Sequence, residues 1–269
     1  MQRLVIVGAS LAGLRAAQAA RAAGFDGSVV VIGDEPHVPY TRPPLSKELL
    51  AGAHTPEQVA FPCDRVAAEW KLGVAATRLD REAREVVLAG GERVPYDRLI
   101  VATGTRARPW PGGGDVRVLR TLDDALALKS AFTAGPRVAI IGAGFIGCEV
   151  AAAARKHALE VTLIDVAATP MTPLGPELGE RCAQLHRDHG VDLPARADRL
   201  EILECSPDGR RLVAAGAKDG RLIGVVAFNA ARRLGWYRRQ LVAPPAFDDL
   251  RATVAADDSA LGAMQLSAH

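Results

Sequence analysis

The chain has 269 residues, 49% of them hydrophobic but only 4% aromatic, and a formal net charge of +2. That length allows one to three domains with ample core, and the abundance of Ala, Val and Leu suits an α/β protein. So small a charge offers little field for nucleic acid or an anionic membrane, and the longest apolar stretches meet glycines and charges well before the ~20 residues a spanning helix requires. Neither nucleic acid nor a membrane is an expected partner. The chain opens directly on a strand pattern, with no charged, apolar and cleavable leader, which reads as cytoplasmic.

The apolar run 4–7 turns through Gly8, Ser10 and Gly13 into an Ala-rich helix to about residue 23. A second apolar run, 29–32, leads to Gly33, Asp34 and Glu35. Strand, glycine turn, helix, strand and terminal acid make a βαβ unit suited to a dinucleotide, because backbone N–H groups at the helix N-terminus can reach a pyrophosphate. Glu35 would take the adenosine ribose hydroxyls. The middle glycine of the fingerprint is Ser10, so this turn alone also fits a plain strand-to-helix connection.

Residues 35–47 then form a Pro-clamped loop containing Arg42, Pro43 and Lys47. This run closely resembles the N-terminal FAD segment of the NADH-dependent ferredoxin reductases, flavoproteins of bacterial oxygenase electron chains. Short helices are predicted at 45–50 and 64–70, and an antiparallel meander at 78–80, 85–88 and 93–95 with a turn at 89–92. The buried strand that follows ends in Thr103 and Gly104, a turn that in the family lies close to FAD. Family members carry another extended segment before Leu72, here compressed to Lys71, so one parallel strand of the flavin sheet is expected to be short.

Residues 109–115, rich in Pro and Gly, read as a linker. A helix is predicted over 122–132, with Asp123 and Asp124 in its first turn and Gly135 and Pro136 as its stop. Apolar residues 138–141 run into Gly142, Gly144 and Gly147, a full GxGxxG, then a helix through 154 and a strand 161–164 ending at Asp165. The three glycines serve the turn, the approach to pyrophosphate and helix-on-strand packing. An acid at 165 favours NADH, since a 2′-phosphate beside a carboxylate would be repelled.

A helix over 176–189, ended by Gly190, places His186 and His189 three apart on one face. Without a third ligand they read as surface histidines, and no metal site is expected. Cys63, Cys148, Cys182 and Cys205 form no CxxC, which argues against a redox disulfide or a cysteine-ligated cluster and leaves buried, inert thiols.

The resemblance covers residues 1–193 and about 199–243, with a large internal block of the family absent, including the glycine-aspartate turn that holds the FAD ribityl chain. It implies a fold of two Rossmann-like dinucleotide-binding domains with parallel sheets in three layers, the second truncated, plus a fragment of a small α+β C-terminal domain. The implied boundaries are 1–112 for FAD, 113–193 for NAD, 194–243 for the C-terminal fragment and 244–269 for a loose tail. The fragment comprises a hairpin, 211–215 and 221–229 about a turn at 218–220, and a helix over 230–241. Sheets that lose their later strands would expose apolar edges, so a homo-oligomer is an expected arrangement.

The resemblance further implies that NADH at Gly142, Gly144, Gly147 and Asp165 passes a hydride to the flavin, which releases electrons singly to a [2Fe–2S] ferredoxin. Cofactor-binding residues on the flavin side are Gly8, Ser10, Gly13, Glu35, Arg42, Pro43, Lys47, Thr103 and Gly104. Lys47 lies near the isoalloxazine, and Glu149 matches the family residue near the nicotinamide carboxamide. On the residues alone both also fit solvated helix charges. Arg232, Arg233, Arg238 and Arg239 make either a patch for an acidic ferredoxin or a solvated basic helix. A nucleotide-binding module without turnover is the alternative class.

Overall fold

The computed structural model describes residues 2–64, 66–108, 116–193, 199–206, 211–228 and 230–257; the expected linker at 109–115 lies outside them. The chain forms two compact units, Met1–Pro44 with His54–Arg106, and Leu45–Ala53 with Ala107–His269.

The first unit runs β1 (Arg3–Val7), α1 (Leu11–Ala22), β2 (Ser28–Ile32), α2 (Pro56–Val59), β3 (Glu69–Lys71), β4 (Ala76–Asp80), β5 (Glu85–Leu88), β6 (Arg93–Pro95) and β7 (Arg98–Val101). Its parallel sheet has the order β3-β2-β1-β7, with Val5 opposite Val30 and Leu99. One face buries Leu4, Ile6, Val29 and Val31 against Leu14 and Ala17 of α1. The other buries Val5, Val30 and Ile32 against Val86, Leu88 and Val94 of the antiparallel β4-β5-β6 meander. Covered on both sides, β1 and β2 need to be apolar over residues 4–7 and 29–32, which is how their sequences read after the polar first residues Arg3 and Ser28.

Two short helices expected in this region do not form. Glu69–Lys71, assigned mostly to a helix, is the strand β3, whose three residues pair with Val30, Val31 and Ile32. Pairing satisfies the outer backbone groups of β2, a demand that local helix propensity does not sense. The strand is short, as the compressed segment implied. Around residues 45–50 the chain makes a 3-10 turn over Pro43–Ser46 and then a single helical turn closed by Ala51 N–H donating to the Lys47 carbonyl, 2.8 Å.

The second unit continues with α3 (Leu122–Thr133), β8 (Val138–Ile141), α4 (Phe145–Lys156), β9 (Val161–Ile164), α5 (Pro176–Asp188), β10 (Val191–Asp192), β11 (Arg199–Cys205), β12 (Leu212–Lys218), β13 (Arg221–Phe228), α6 (Ala231–Val242) and α7 (Phe247–Ala255). Thr121 and Asp124 close a capping box on α3. The parallel sheet β10-β9-β8 buries Val161, Leu163 and Val191 in one cluster with Val150, Ala151 and Ala154 of α4. Strands β11, β12 and β13 form an antiparallel sheet, and the turn at Asp219 and Gly220 has both residues at positive φ, as a tight hairpin requires.

Three features of this part depart from expectation. Strand β11 went unread, and Phe247, Leu250 and Val254 of α7 are buried in the same core as Tyr237, where a loose tail was expected. Residues 194–198 and 258–269 lie outside the described residues. Arg233 is no surface charge: it is buried, with Nε and Nη2 on the fully buried Glu204 at 3.0 and 2.9 Å, while Tyr237 O–H donates to the same carboxylate at 2.6 Å. Of the expected basic patch, Arg238 and Arg239 are exposed.

Among the described residues, β7 and β8 are sheet edges, and Val101 and Ile141 on them are 65% and 38% exposed. No helix there is long and apolar enough to cross a membrane.

Candidate functional site

The two glycine turns are the same structure built twice. At the first, Gly8 N–H donates to Ile32 O at 2.8 Å, and Leu14 N–H closes α1 onto Ser10 O at 2.9 Å. At the second, Gly142 N–H donates to Ile164 O at 2.8 Å, and Cys148 N–H closes α4 onto Gly144 O at 3.0 Å. A Cβ on Gly13 would stand 1.9 Å from Gly8 O, and one on Gly147 would stand 1.8 Å from Gly142 O. Both helices therefore begin hard against their strands, which only glycine at the third position allows.

The middle positions behave differently. A Cβ on Gly144 would meet nothing of the protein within 4 Å, and the residue's own backbone is extended, φ −73° and ψ −172°. Glycine is therefore not required there by the fold. Ser10 has the matching extended backbone, φ −116° and ψ −164°, so a serine fits this turn without strain. Neither residue supplies a side-chain cap, and neither helix carries an acid in its first turn. Both helix starts thus keep their orphan N–H groups and their positive dipole end for an anion. Beside them, Leu11, Phe145 and Ile146 are 45%, 49% and 55% exposed, large apolar side chains a ligand would cover.

The end of β7 closes on the first turn. Ala102 N–H donates to Val7 O at 2.7 Å, and a Cβ on Gly8 would stand 2.1 Å from Ala102 O. Thr103 and Gly104 therefore follow directly beside Gly8, both exposed, with Gly104 at φ +70°.

The two terminal acids are held in different ways. Asp165 accepts from Ala143 N–H inside the second glycine turn at 2.5 Å and from Ala167 N–H at 2.8 Å. Glu35 instead accepts from Arg42 Nη2 at 2.6 Å and from the Tyr40 hydroxyl, and the Arg42 guanidinium lies 5.0 Å from the Tyr40 ring centroid. Tyr40, buried in the Pro-clamped loop, is a partner that motif reading overlooked.

Lys47 and Glu149, far apart in sequence, form an ion pair at 2.8 Å, and Ser46 O–H donates to the same carboxylate oxygen. Glu149 sits on α4 two residues beyond Gly147, so the helix that carries the second glycine turn also holds this pair. Ser46 was not singled out in the sequence; its neighbour Lys47 was the available signal.

His186 departs from the expected surface histidine, whereas Cys148 is the buried thiol expected and the other cysteines are less covered. His186 is buried, and burial first, then His189, lowers its pKa. His189 is exposed, with its ring Nδ1 2.8 Å from Leu185 O. Cys148 is buried, and burial, followed by the nearby Cys182, pushes its thiol up to about 12. Cys63, Cys182 and Cys205 are half-buried.

A strand-turn-helix pair repeated on two parallel sheets, each helix opening with unclaimed amides, defines the Rossmann class of dinucleotide-binding proteins. The chain belongs to the pyridine nucleotide-disulphide oxidoreductase family, whose model matches residues 2–223. It is 36% identical over 229 residues to putidaredoxin reductase of Pseudomonas putida, covering 81% of this chain and 54% of that protein. It is 42% identical over 200 residues to the ferredoxin–NAD(+) reductase component of the anthranilate 1,2-dioxygenase system of Burkholderia cepacia, covering 70% and 48%. The covalent putidaredoxin reductase–putidaredoxin complex matches in structure with a TM-score of 0.69 at 32% identity, over 84% of this chain and 56% of that one. The chain spans about half the length of the curated relatives it matches.

Proposed function

We propose that the chain is an NADH-dependent ferredoxin reductase, or the nucleotide-binding half of one, with FAD on the Gly8 turn and NADH on the Gly142 turn. The observation that carries this reading is the pair of matching helix starts, uncapped, free of acids and flanked by exposed apolar side chains. In this assignment residues 1–112 are the FAD-binding domain, 113–193 the NAD-binding domain and 194–243 a C-terminal fragment.

Bound together, the two cofactors convert a hydride, which carries two electrons, into single electrons that an iron–sulfur protein can accept. The residues of this chain bind and orient. Amides at the start of α1, with Gly8, Ser10 and Gly13, take the FAD pyrophosphate, and Thr103 and Gly104 line the same cradle. Glu35 takes the ribose, steadied by Arg42 and Tyr40. On the second turn, Gly142, Gly144 and Gly147 take the NADH pyrophosphate. Asp165, fixed by two backbone N–H groups, presents a carboxylate that suits a 2′-hydroxyl and repels a 2′-phosphate. By resemblance to the family, Glu149 would orient the carboxamide and Lys47, its ion-pair partner, would stabilise charge on the flavin, with Pro43 shaping the loop.

The partner is a [2Fe–2S] ferredoxin, with the exposed Arg238 and Arg239 as its basic contact. The exposed edges β7 and β8 support pairing with a second copy. A flavin spectrum of the purified protein and reduction of cytochrome c with NADH and candidate ferredoxins test the assignment. A colourless protein that gains no absorbance on adding FAD overturns it. Binding of both nucleotides without turnover would instead define a nucleotide-binding module.

A further inference from the structure

Cys148, Cys182 and His186 place two sulfur atoms and a ring nitrogen within 4.8 Å of one another. The helix α5 carries Cys182 and His186 four residues apart, one turn along the same face, and α4 brings Cys148 to them. Cys148 and His186 are 2% and 8% exposed, and Cys182 is half-buried, so the group is sheltered but has an access side. We propose that these three side chains form a binding site for one divalent ion of the zinc class, held by two thiolates and one imidazole, with water as the fourth ligand.

The donor set selects the ion. Two sulfurs and a nitrogen suit borderline-soft d-block cations, whereas calcium and magnesium require oxygen ligands. Tetrahedral bonds of about 2.3 Å to sulfur and 2.0–2.1 Å to nitrogen set ligand separations near 3.5–3.8 Å. From separations of at most 4.8 Å the side chains therefore need to close by no more than about 1.3 Å, within reach of small χ adjustments.

The Cys148 thiol donates to Ala143 O at 3.4 Å. Ligation uses the thiolate form of the cysteines and the neutral imidazole of His186. On binding, each thiol releases its proton to solvent as its bond to the metal forms, and no electron changes hands. The site does not depend on the nucleotide assignment.

The test uses the full chain, purified under reducing conditions and stripped with a chelator, then titrated with Co²⁺ and afterwards with Zn²⁺. One Co²⁺ per chain should bring up thiolate-to-cobalt charge-transfer absorbance, one Zn²⁺ should bleach it, and Zn²⁺ should raise the melting temperature. Cys182→Ser and His186→Gln should each weaken Zn²⁺ binding at least about tenfold, and the melting curves of the unloaded variants report whether they fold. The double variant Cys63→Ser with Cys205→Ser should leave the titration unchanged. Absence of the charge-transfer band, an undiminished band and affinity in Cys182→Ser, or its loss in the double variant overturns the proposal. So does conversion of Cys148 and Cys182 to a disulfide that forms equally fast with and without Zn²⁺. Should His186→Gln fail to fold, the half-buried Cys182→Ser decides.

Discussion

Two neighbouring glycines of one motif should respond to the same alanine substitution in opposite ways. At Gly147 an added Cβ would stand 1.8 Å from the backbone oxygen of Gly142, whereas ordinary contact begins at 3.4 Å. The turn would have to open by about 1.6 Å, and overpacking of that kind costs ~3 kcal/mol. At Gly144 the added Cβ meets nothing of the protein within 4 Å, and φ of −73° suits alanine. Exchanging glycine for alanine at this helix cap costs less than about 1 kcal/mol.

Gly147→Ala should therefore lower the melting temperature by roughly 6–12 °C and Gly144→Ala by no more than about 4 °C. Gly144→Ala should nonetheless weaken NADH at least about tenfold, equal to ~1.4 kcal/mol, because its methyl occupies the space in which a pyrophosphate meets the amides. Differential scanning fluorimetry and calorimetric titration with NADH read the two quantities separately. A Gly144→Ala protein that binds NADH as tightly as the parent would refute the reasoning, since the glycine would then have no ligand to admit.

Lys47→Met should cost well under 1 kcal/mol of stability, because the pair with Glu149 is part-exposed and screened by solvent. It should reduce NADH-driven acceptor reduction severalfold, read as a fall in kcat at unchanged melting temperature. Tyr237→Phe removes one hydrogen bond to the buried Glu204 and should destabilise by about 1–2 kcal/mol in thermal unfolding; Glu204→Ala, which takes one of two carboxylates from the buried Arg233 and leaves it Asp257, should cost about 2–3 kcal/mol. The depressed pKa of His186 gives stability a defined acid limb in metal-free protein. Its native ring stays neutral while the unfolded ring takes a proton as pH falls through about 6.5. Stability from this group is thus present above that pH and lost below it, and His186→Gln should flatten the slope in melts from pH 7.5 to 5.

The elements that depend on local order were legible in the chain itself. Residues 4–7 and 29–32, 138–141 and 161–164 are apolar runs separated by a glycine turn and a helical stretch, and β1, β2, β8 and β9 lie there with at most one residue of difference. A glycine spacing specifies its turn because the clash it avoids, such as Gly13 against Gly8 O, involves residues a few positions apart. The meander and the Asp219–Gly220 hairpin were legible for the same reason: turn residues act on their immediate neighbours.

Tertiary structure alone decided what meets across long separations. Glu69–Lys71 became a strand because β2 had an open edge, and Arg233 went inside because Glu204 waited there. Lys47 found Glu149, and Cys148 found Cys182 and His186, through the closing of segments that share no local pattern. A pairing of that kind is set by burial and backbone satisfaction summed over the whole fold, and a one-dimensional motif records only the part of that sum that neighbours along the chain contribute.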